Sequence, residues 1–340
     1  MREPRFWWQE PGIASALLSS FGTLYGNAAA SRMRRRSQRA NIPVICVGNF
    51  TLGGTGKSPA AIAAAALLKR EGRKPALLTR GYGGSQTGPL LVDPNRHTAA
   101  DVGDEALLLA QAAPTIVSPD RVAGAQAAEA QGADVIVMDD GLQNPSLVKD
   151  LTIALVDAQR GIGNGNIFPA GPLRAPLSAQ LERSNAVLVV GHGNKAEAVT
   201  TKAKQHGLAI FHGELQPDKA AVAALSARPL LAFAGVGDPE KFFATLRASG
   251  LDVKAIRAFP DHHRFTAEEA GALIMQAERE GLRLVTTAKD HVRMTADPAL
   301  SALAERAYVL PVTMKVKETE GWRGLLLGAL KRAPSRSDSA

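Results

Sequence analysis

The densest chemistry in the chain lies in Gly48-Asn-Phe-Thr-Leu-Gly-Gly-Thr-Gly-Lys-Ser-Pro59. Glycines at 53, 54 and 56 let successive backbone N–H groups converge on one anion, which then rests on the N-terminus of the next helix. Lys57 is spaced to reach β- and γ-phosphates, and Ser58 offers a hydroxyl to Mg²⁺. Thr51, Leu52, Gly53, Gly54, Thr55, Gly56, Lys57 and Ser58 are therefore read as a cradle for ATP and Mg²⁺. Thr51 stands where the strict pattern has glycine, and Gly53-Gly54 supplies the tight turn instead. Guanine selection calls for Asn/Thr-Lys-x-Asp; Lys289 and Asp290 are adjacent, so GTP is disfavoured.

Other candidates need partners to mean anything. Asp139 and Asp140 end an apolar run, Val135-Ile-Val-Met138, the setting of a carboxylate that supports Mg²⁺ in phosphate-loop enzymes; an acidic turn is the plainer alternative. Asp104 and Glu105 open a helical stretch, where either carboxylate could simply cap the end, and nothing else in their position says more. Arg80, Arg121 and Arg174 fall at loop or helix starts, where a guanidinium can grip phosphate or merely be solvated. His262, in Asp261-His-His263, follows a strand-like run, and an isolated histidine there is ordinarily a surface or hinge residue. The segment Thr286 to Arg293 closes a strand and opens a helix, so it can touch nucleotide or only cap.

Positioning these groups requires a sheet. Apolar runs at 42–47, 74–79, 115–117, 134–138, 151–156 and 186–190 alternate with helical stretches, which predicts an α/β fold: a P-loop NTPase-like, mostly parallel sheet flanked by helices. Ligands of such sheets bind at the carboxyl ends of strands, where the loop, Arg80, Asp139 and Asp157 all fall. The run at 186–190 is expected to be the last strand of this kinase domain, 41–207. A smaller α/β domain is expected over 217–306, joined by extended linkers at 208–216 and 307–316 and followed, over 317–340, by a C-terminal helix and a disordered tail.

One cysteine, Cys46, excludes a disulfide framework or a cysteine zinc site and fits a reducing compartment. The net charge of +8 is concentrated early, with seven arginines against two glutamates before residue 41. Between Trp7-Trp8 and the Arg34–Arg36 cluster, residues 11–31 carry no charge. Acidic residues near the start and a cytosolic nucleotide argue against a signal peptide, and serines, glycines and an asparagine dilute any membrane span. Ile13, Leu17, Phe21 and Leu24 recur at helical spacing, with Ala14, Leu18 and Tyr25 beside them. Residues 1–40 are expected to lay an amphipathic helix on an anionic membrane, with interfacial tryptophans and the arginines facing lipid headgroups. A helix packed by its apolar face on the protein's own core is the alternative. No nucleic acid or obligate protein partner is inferred.

A soluble phosphate-loop kinase or ligase, and a membrane-cycling ATPase, both remain open at this level. Leu52 stands where partitioning ATPases carry their signature lysine, which counts against the latter.

The ordered set of motifs resembles the tetraacyldisaccharide 4'-kinases of lipid A biosynthesis. The matching stretches are Val47 to Pro59, Arg80-Gly-Tyr-Gly-Gly84, Val102-Gly-Asp-Glu105, Ser118-Pro-Asp-Arg121, Met138-Asp-Asp-Gly-Leu-Gln143, Pro169-Ala-Gly-Pro-Leu-Arg174, Phe259-Pro-Asp-His262 and Thr286-Thr-Ala-Lys-Asp290. This resemblance implies transfer of the ATP γ-phosphate to the 4'-hydroxyl of an acylated glucosamine disaccharide 1-phosphate, making lipid IVA. It implies a peripheral enzyme on the cytoplasmic face of a bacterial inner membrane. By motif, Asp104 is the candidate base with His262 in support, and Glu105 and Asp140 are metal or water-network candidates. Arg80, Tyr82, Arg121, Gln143 and Arg174 are substrate- or phosphate-positioning candidates. Ser58 replaces the family's usual threonine and keeps the hydroxyl.

Overall fold

The computed structural model describes residues 3–295 and 297–332. The larger of two sheets is built from β1 (Val44–Asn49), β2 (Pro75–Thr79), β3 (Leu90–Leu91), β4 (Thr115–Val117), β5 (Val135–Asp139), β6 (Leu151–Asp157), β7 (Ala186–Val190) and β8 (Ala209–Pro217), with β13 (Val312–Val316) returning from the C-terminal part. The smaller sheet holds β9 (Leu230–Ala234), β10 (Val253–Ala258), β11 (Arg283–Thr286) and β12 (Tyr308–Val309).

In the nine-stranded sheet the order is β13-β8-β7-β6-β1-β5-β2-β4-β3. Both edge pairs, β13 with β8 and β3 with β4, are antiparallel, and the other neighbours are parallel. Every residue of β1, β5 and β6 is buried, as expected of central parallel strands covered on both faces. One face is covered by α2 (Lys57–Arg70) and the C-terminal α13 (Thr319–Arg332), whose Trp322, Leu326 and Ala329 join the core of Ile45, Val47, Leu77 and Ile153. The alanine run of α2 lets it lie close against the strands. Helix α5 (Arg121–Ala130) covers part of the opposite face through Ala125 and Ala128.

The smaller sheet, order β10-β9-β11-β12, is wholly parallel, and its centre is the buried run Leu230-Leu-Ala-Phe-Ala234. Helices α9 (Pro239–Ala248) and α10 (Ala267–Glu280) pack there through Phe243, Leu246, Leu273 and Ala277. Thr266 and Glu269 form a capping box that starts α10.

The connectors expected at 208–216 and 307–316 are extended, but they are ladder strands. β8 pairs in parallel with β7, and β13 closes antiparallel onto β8, so the first sheet does not end at Val190. Strand β8, between β7 and β13, is mostly exposed or half-buried and pairs with residues about a hundred positions later, which leaves little local trace in the sequence. β12 belongs to the smaller sheet instead. The expected tail, 333–340, lies outside the described residues.

Helix α1 (Ile13–Met33) forms where expected and turns its apolar stripe away from the protein, which overturns the alternative that the stripe packs on the core. It packs through Ser15, Gly22, Gly26, Ala29 and Met33. A Cβ on Gly22 would lie 2.8 Å from the Ile167 carbonyl oxygen, and one on Gly26 would lie 2.5 Å from Ile167 Cδ1. Glycine is what permits that approach. Ile13, Leu17, Phe21 and Leu24 are left 65% to 83% exposed. The tryptophans do not join them: Trp7 is buried and donates to the Pro169 carbonyl at 3.0 Å, and Trp8 donates to Glu3 at 2.9 Å. Among the described residues, no helix is long and apolar enough to cross a membrane.

Candidate active site

The loop from Phe50 to Gly56 joins β1 to α2, with Gly53 and Gly56 at φ of 99° and 85°, backbone that favours glycine. Gly54 has open space on its Cβ side. At the head of α2, the Lys57 ammonium donates to the Gly53 carbonyl at 3.4 Å and lies 3.7 Å from Asp140, and burial lowers its pKa. Ser58 is buried and donates to Asp139 Oδ2 at 2.9 Å. Thr51 is buried, and its carbonyl accepts from Arg174 Nε at 2.9 Å.

The end of β5 turns sharply because Asp140 adopts φ 55°, unusual for a residue with a side chain. This turn separates the fates of two neighbouring carboxylates. Asp140 faces Lys57 and, at 2.8 Å, Arg174; burial alone would raise its pKa, but these cations hold it below the usual carboxylate range. Asp139 is pushed up to about 7 by burial and by the negative charges of Glu105 and Asp140.

Asp139 Oδ1 is one of five buried side-chain polar atoms that lack a partner among the described residues; the others are Asn49 Oδ1, Thr55 Oγ1, Arg121 Nε and Arg293 Nη2. Leaving such an atom unpaired costs about 1–3 kcal/mol. They gather at the loop, at the neighbouring strand ends and where the second domain meets them, so this cost is concentrated where a ligand would offset it. An unsatisfied carboxylate oxygen beside a loop hydroxyl fits Mg²⁺, which takes few protein ligands and completes its shell with phosphate and water. Ser58 and Asp139 are the fitting pair. Asp140, already committed to two cations, is less suited.

The other wall comes from α4 (Asp104–Ala110) and the smaller domain. Gly103, at φ 85°, starts this helix without a side-chain cap, so Asp104 is free to point elsewhere. Its buried carboxylate accepts from His262 Nδ1 at 3.2 Å and from Arg293 Nε at 3.0 Å. Burial would raise its pKa, but the His262 hydrogen bond and the Lys289 and Arg293 charges hold it well below the carboxylate range. The same hydrogen bond raises the His262 pKa. His262 adopts φ 54°, a second non-glycine residue in left-handed backbone, which turns its ring toward Asp104. Glu105 pairs with Lys289 at 2.6 Å, and that ammonium lowers its pKa.

Lys289 and Arg293 both lie on α11 (Ala288–Met294), one turn apart, and grip the adjacent carboxylates of α4. The segment Thr286 to Arg293 is therefore more than a cap. Arg293 also bonds Asp290 at 2.9 Å and the Gly235 carbonyl at 2.9 Å, which fixes it to its own domain. Sequence reading did not single out Arg293, whose partner Asp104 is 189 positions away. A cation one turn after Lys289, at a strand's carboxyl end, was the available signal.

The remaining candidates divide. Tyr82 is exposed, with its ring 5.4 Å from that of His262, so it flanks the site. Arg80 is exposed at the end of β2. Arg121 is buried at the start of α5 and donates to the Ser118 carbonyl at 2.5 Å. Gln143 does not face the site freely: its amide donates to the Asn49 carbonyl and to Gln180, both at 2.8 Å, so here it supports the loop.

An N-terminal contact was not anticipated. Glu3 reaches the loop so closely that a Cβ on Gly53 would lie 2.1 Å from its Oε1. Arg160 joins Glu3 at 3.0 Å to Asp238 of the smaller domain at 2.6 Å and stacks over Trp8.

Known proteins resemble this chain over most of its length. Residues 14–331 match the family described as Tetraacyldisaccharide-1-P 4'-kinase. A "Tetraacyldisaccharide 4'-kinase" of Methylobacterium sp. (strain 4-46) is 57% identical, covering 92% of this chain and 94% of that protein. One of Bradyrhizobium sp. (strain BTAi1 / ATCC BAA-1182) is 50% identical over 100% and 99%. The crystal structure of LpxK from Aquifex aeolicus in complex with ATP superposes with a TM-score of 0.72 at 25% identity, covering 94% of this chain and all of that one. Phosphate loop, carboxylate pair and interdomain histidine thus stand in a chain that belongs to the tetraacyldisaccharide-1-phosphate 4'-kinase family.

Proposed function

We propose that this protein transfers the γ-phosphate of ATP to the 4'-hydroxyl of tetraacyldisaccharide 1-phosphate, forming lipid IVA. The observation that carries the reading is the Asp104–His262 contact, 3.2 Å long, made between domains beside the phosphate loop. A hydrolase activating water needs no group from a second domain to recognise a sugar. A hydroxyl acceptor does benefit from a proton acceptor held at the γ-phosphate, by about 10²- to 10⁴-fold.

The residues divide the work. Loop N–H groups and Lys57 neutralise the β- and γ-phosphates. Ser58 and Asp139 would hold Mg²⁺, which would supply positive charge against the phosphates. Asp104 orients His262 through Nδ1, and the pair takes the proton of the attacking hydroxyl. Arg174 keeps Asp140 and Thr51 in place, and Tyr82 flanks His262 where the acceptor would arrive. Apposition of the domains excludes water.

The acceptor's acyl chains call for an enzyme at a lipid surface. The exposed stripe of α1, with Arg34, Arg35, Arg36 and Arg39 at its end, suits an anionic bilayer and supports a peripheral position on the cytoplasmic face of the inner membrane. The test is lipid phosphorylation by Asp104→Asn and His262→Gln: each should lower kcat at least 100-fold with little change in the KM for ATP. Near-normal kcat in both would remove the carboxylate–imidazole pair from the mechanism.

A further inference from the structure

Helix α11 sends two cations to α4, and they are not equivalent. Arg293 is tied on one side to its own domain, through Asp290, the Gly235 carbonyl and the His263 carbonyl, and on the other to Asp104. These several partners anchor its guanidinium where it is. Lys289 has a single hydrogen-bond partner among the described residues, Glu105, and its side chain is 30% exposed. It sits on a four-carbon stem with three rotatable donors, so it can change partner without moving its helix.

Its surroundings are rich in negative charge: Glu105 and Asp104 directly, with Asp139 and Asp140 deeper behind Lys57. Burial would lower the Lys289 pKa, but the Glu105 and Asp104 charges outweigh it, so the ammonium stays fully charged at any physiological pH. Glu105 in turn feels Lys57 as well as Lys289. Phosphate-loop lysine and second-domain lysine thus both act on the same carboxylate, which Lys289 meets at 2.6 Å and which directly follows Asp104 in the chain. A terminal phosphate held by Lys57 would enter a site that Lys289 borders.

Resting on the kinase reading above, we propose that Lys289 is a further catalytic residue: a lysine supplied by the smaller domain that leaves Glu105 and binds the equatorial oxygens of the phosphoryl group in flight. As the acceptor oxygen forms its bond to Pγ, the bond from Pγ to the β,γ-bridging oxygen breaks, and its electron pair leaves with ADP. The hydroxyl proton goes to the Asp104–His262 pair. Lys289 exchanges no proton or electron; it offsets charge that Lys57 also meets. Glu105, 2.6 Å away, holds it beside this point.

Such a donor acts mainly in the transition state, so its loss should cost about 10²- to 10³-fold in kcat. The experiment compares the wild type with Lys289→Met and Lys289→Gln, the second filling the space and retaining a hydrogen bond to Glu105. It measures lipid phosphorylation, ATP dissociation, and affinity for ADP with aluminium fluoride, a mimic of the transferring phosphoryl group. Expected is a kcat loss of at least 100-fold in both variants, ATP dissociation within about threefold of wild type, and loss of the added affinity that fluoride gives to ADP. A kcat within threefold overturns the proposal. So does restoration of kcat in the Glu105→Gln/Lys289→Met double variant, which would mean that Lys289 only neutralises Glu105. Absence of lipid phosphorylation by the wild type would instead refute the kinase reading, and the ADP–fluoride measurement would still report on Lys289.

Discussion

Neighbouring carboxylates of the site are driven in opposite directions. Asp139 sits in a dry pocket beside two other anions, whereas Asp104 is held by an imidazole, a guanidinium and a nearby ammonium. The signs can be checked by pH. A carboxylate whose folded pKa is raised from 3.8 to about 7 makes folding progressively less favourable as pH climbs between those values. Asp139→Asn should therefore melt higher than wild type at pH 8, with little gain at pH 4, while losing kinase activity; a lower melting temperature at pH 8 would contradict the assignment. His262 has the opposite sense. Its raised pKa contributes stability that is present below about 6.5 and lost as pH rises through the higher folded value. Its partner's lowered pKa contributes stability that is present above the unfolded value, near 3.8, and lost as pH falls toward the folded one. His262→Gln should thus lower the melting temperature more at pH 6 than at pH 9. Calorimetry at the two values decides it.

Helix α1 turns small residues to the protein and large apolar ones outward, an arrangement that a solvated surface helix has no reason to adopt. Burying one Leu or Phe contributes about 1.5–3 kcal/mol, so Leu17→Asp with Phe21→Asp should weaken binding to anionic vesicles by about 100-fold or more and leave ATP affinity unchanged. Cosedimentation measures the first and nucleotide titration the second. The period of this helix and its outward apolar stripe were legible in the sequence, but the contact that fixes its inner face was not, because it is the close approach of Gly22 and Gly26 to Ile167, far along the chain. The same limit applies to β8, whose half-exposed run resembles a linker until β7 and β13 pair with it. Runs buried on both faces, such as β1, β5 and β6, were legible because a parallel strand's burial is written locally. The phosphate loop and its carboxylates followed from them. Lys289, Arg293 and Glu3 acquire their roles only through contacts 184, 189 and 157 positions away.

At the scale of the molecule, two sheets meet through charge: Asp104 with His262 and Arg293, Glu105 with Lys289, Asp157 with Lys241, and Arg160 between Glu3 and Asp238. Removing one member of a buried ion pair costs about 3–5 kcal/mol, so Arg293→Ala should lose roughly that much stability in urea unfolding, and a loss under 1 kcal/mol would show that the domains do not depend on it. Such an interface suits a site that must open for a nucleotide and a lipid and close for the reaction. The account as a whole rests on where the phosphate goes. Purified protein incubated with γ-labelled ATP and tetraacyldisaccharide 1-phosphate in detergent micelles should place label on the lipid's 4'-oxygen, with transfer abolished by Lys57→Ala. Release of all the label as inorganic phosphate, with none on the lipid, would contradict it.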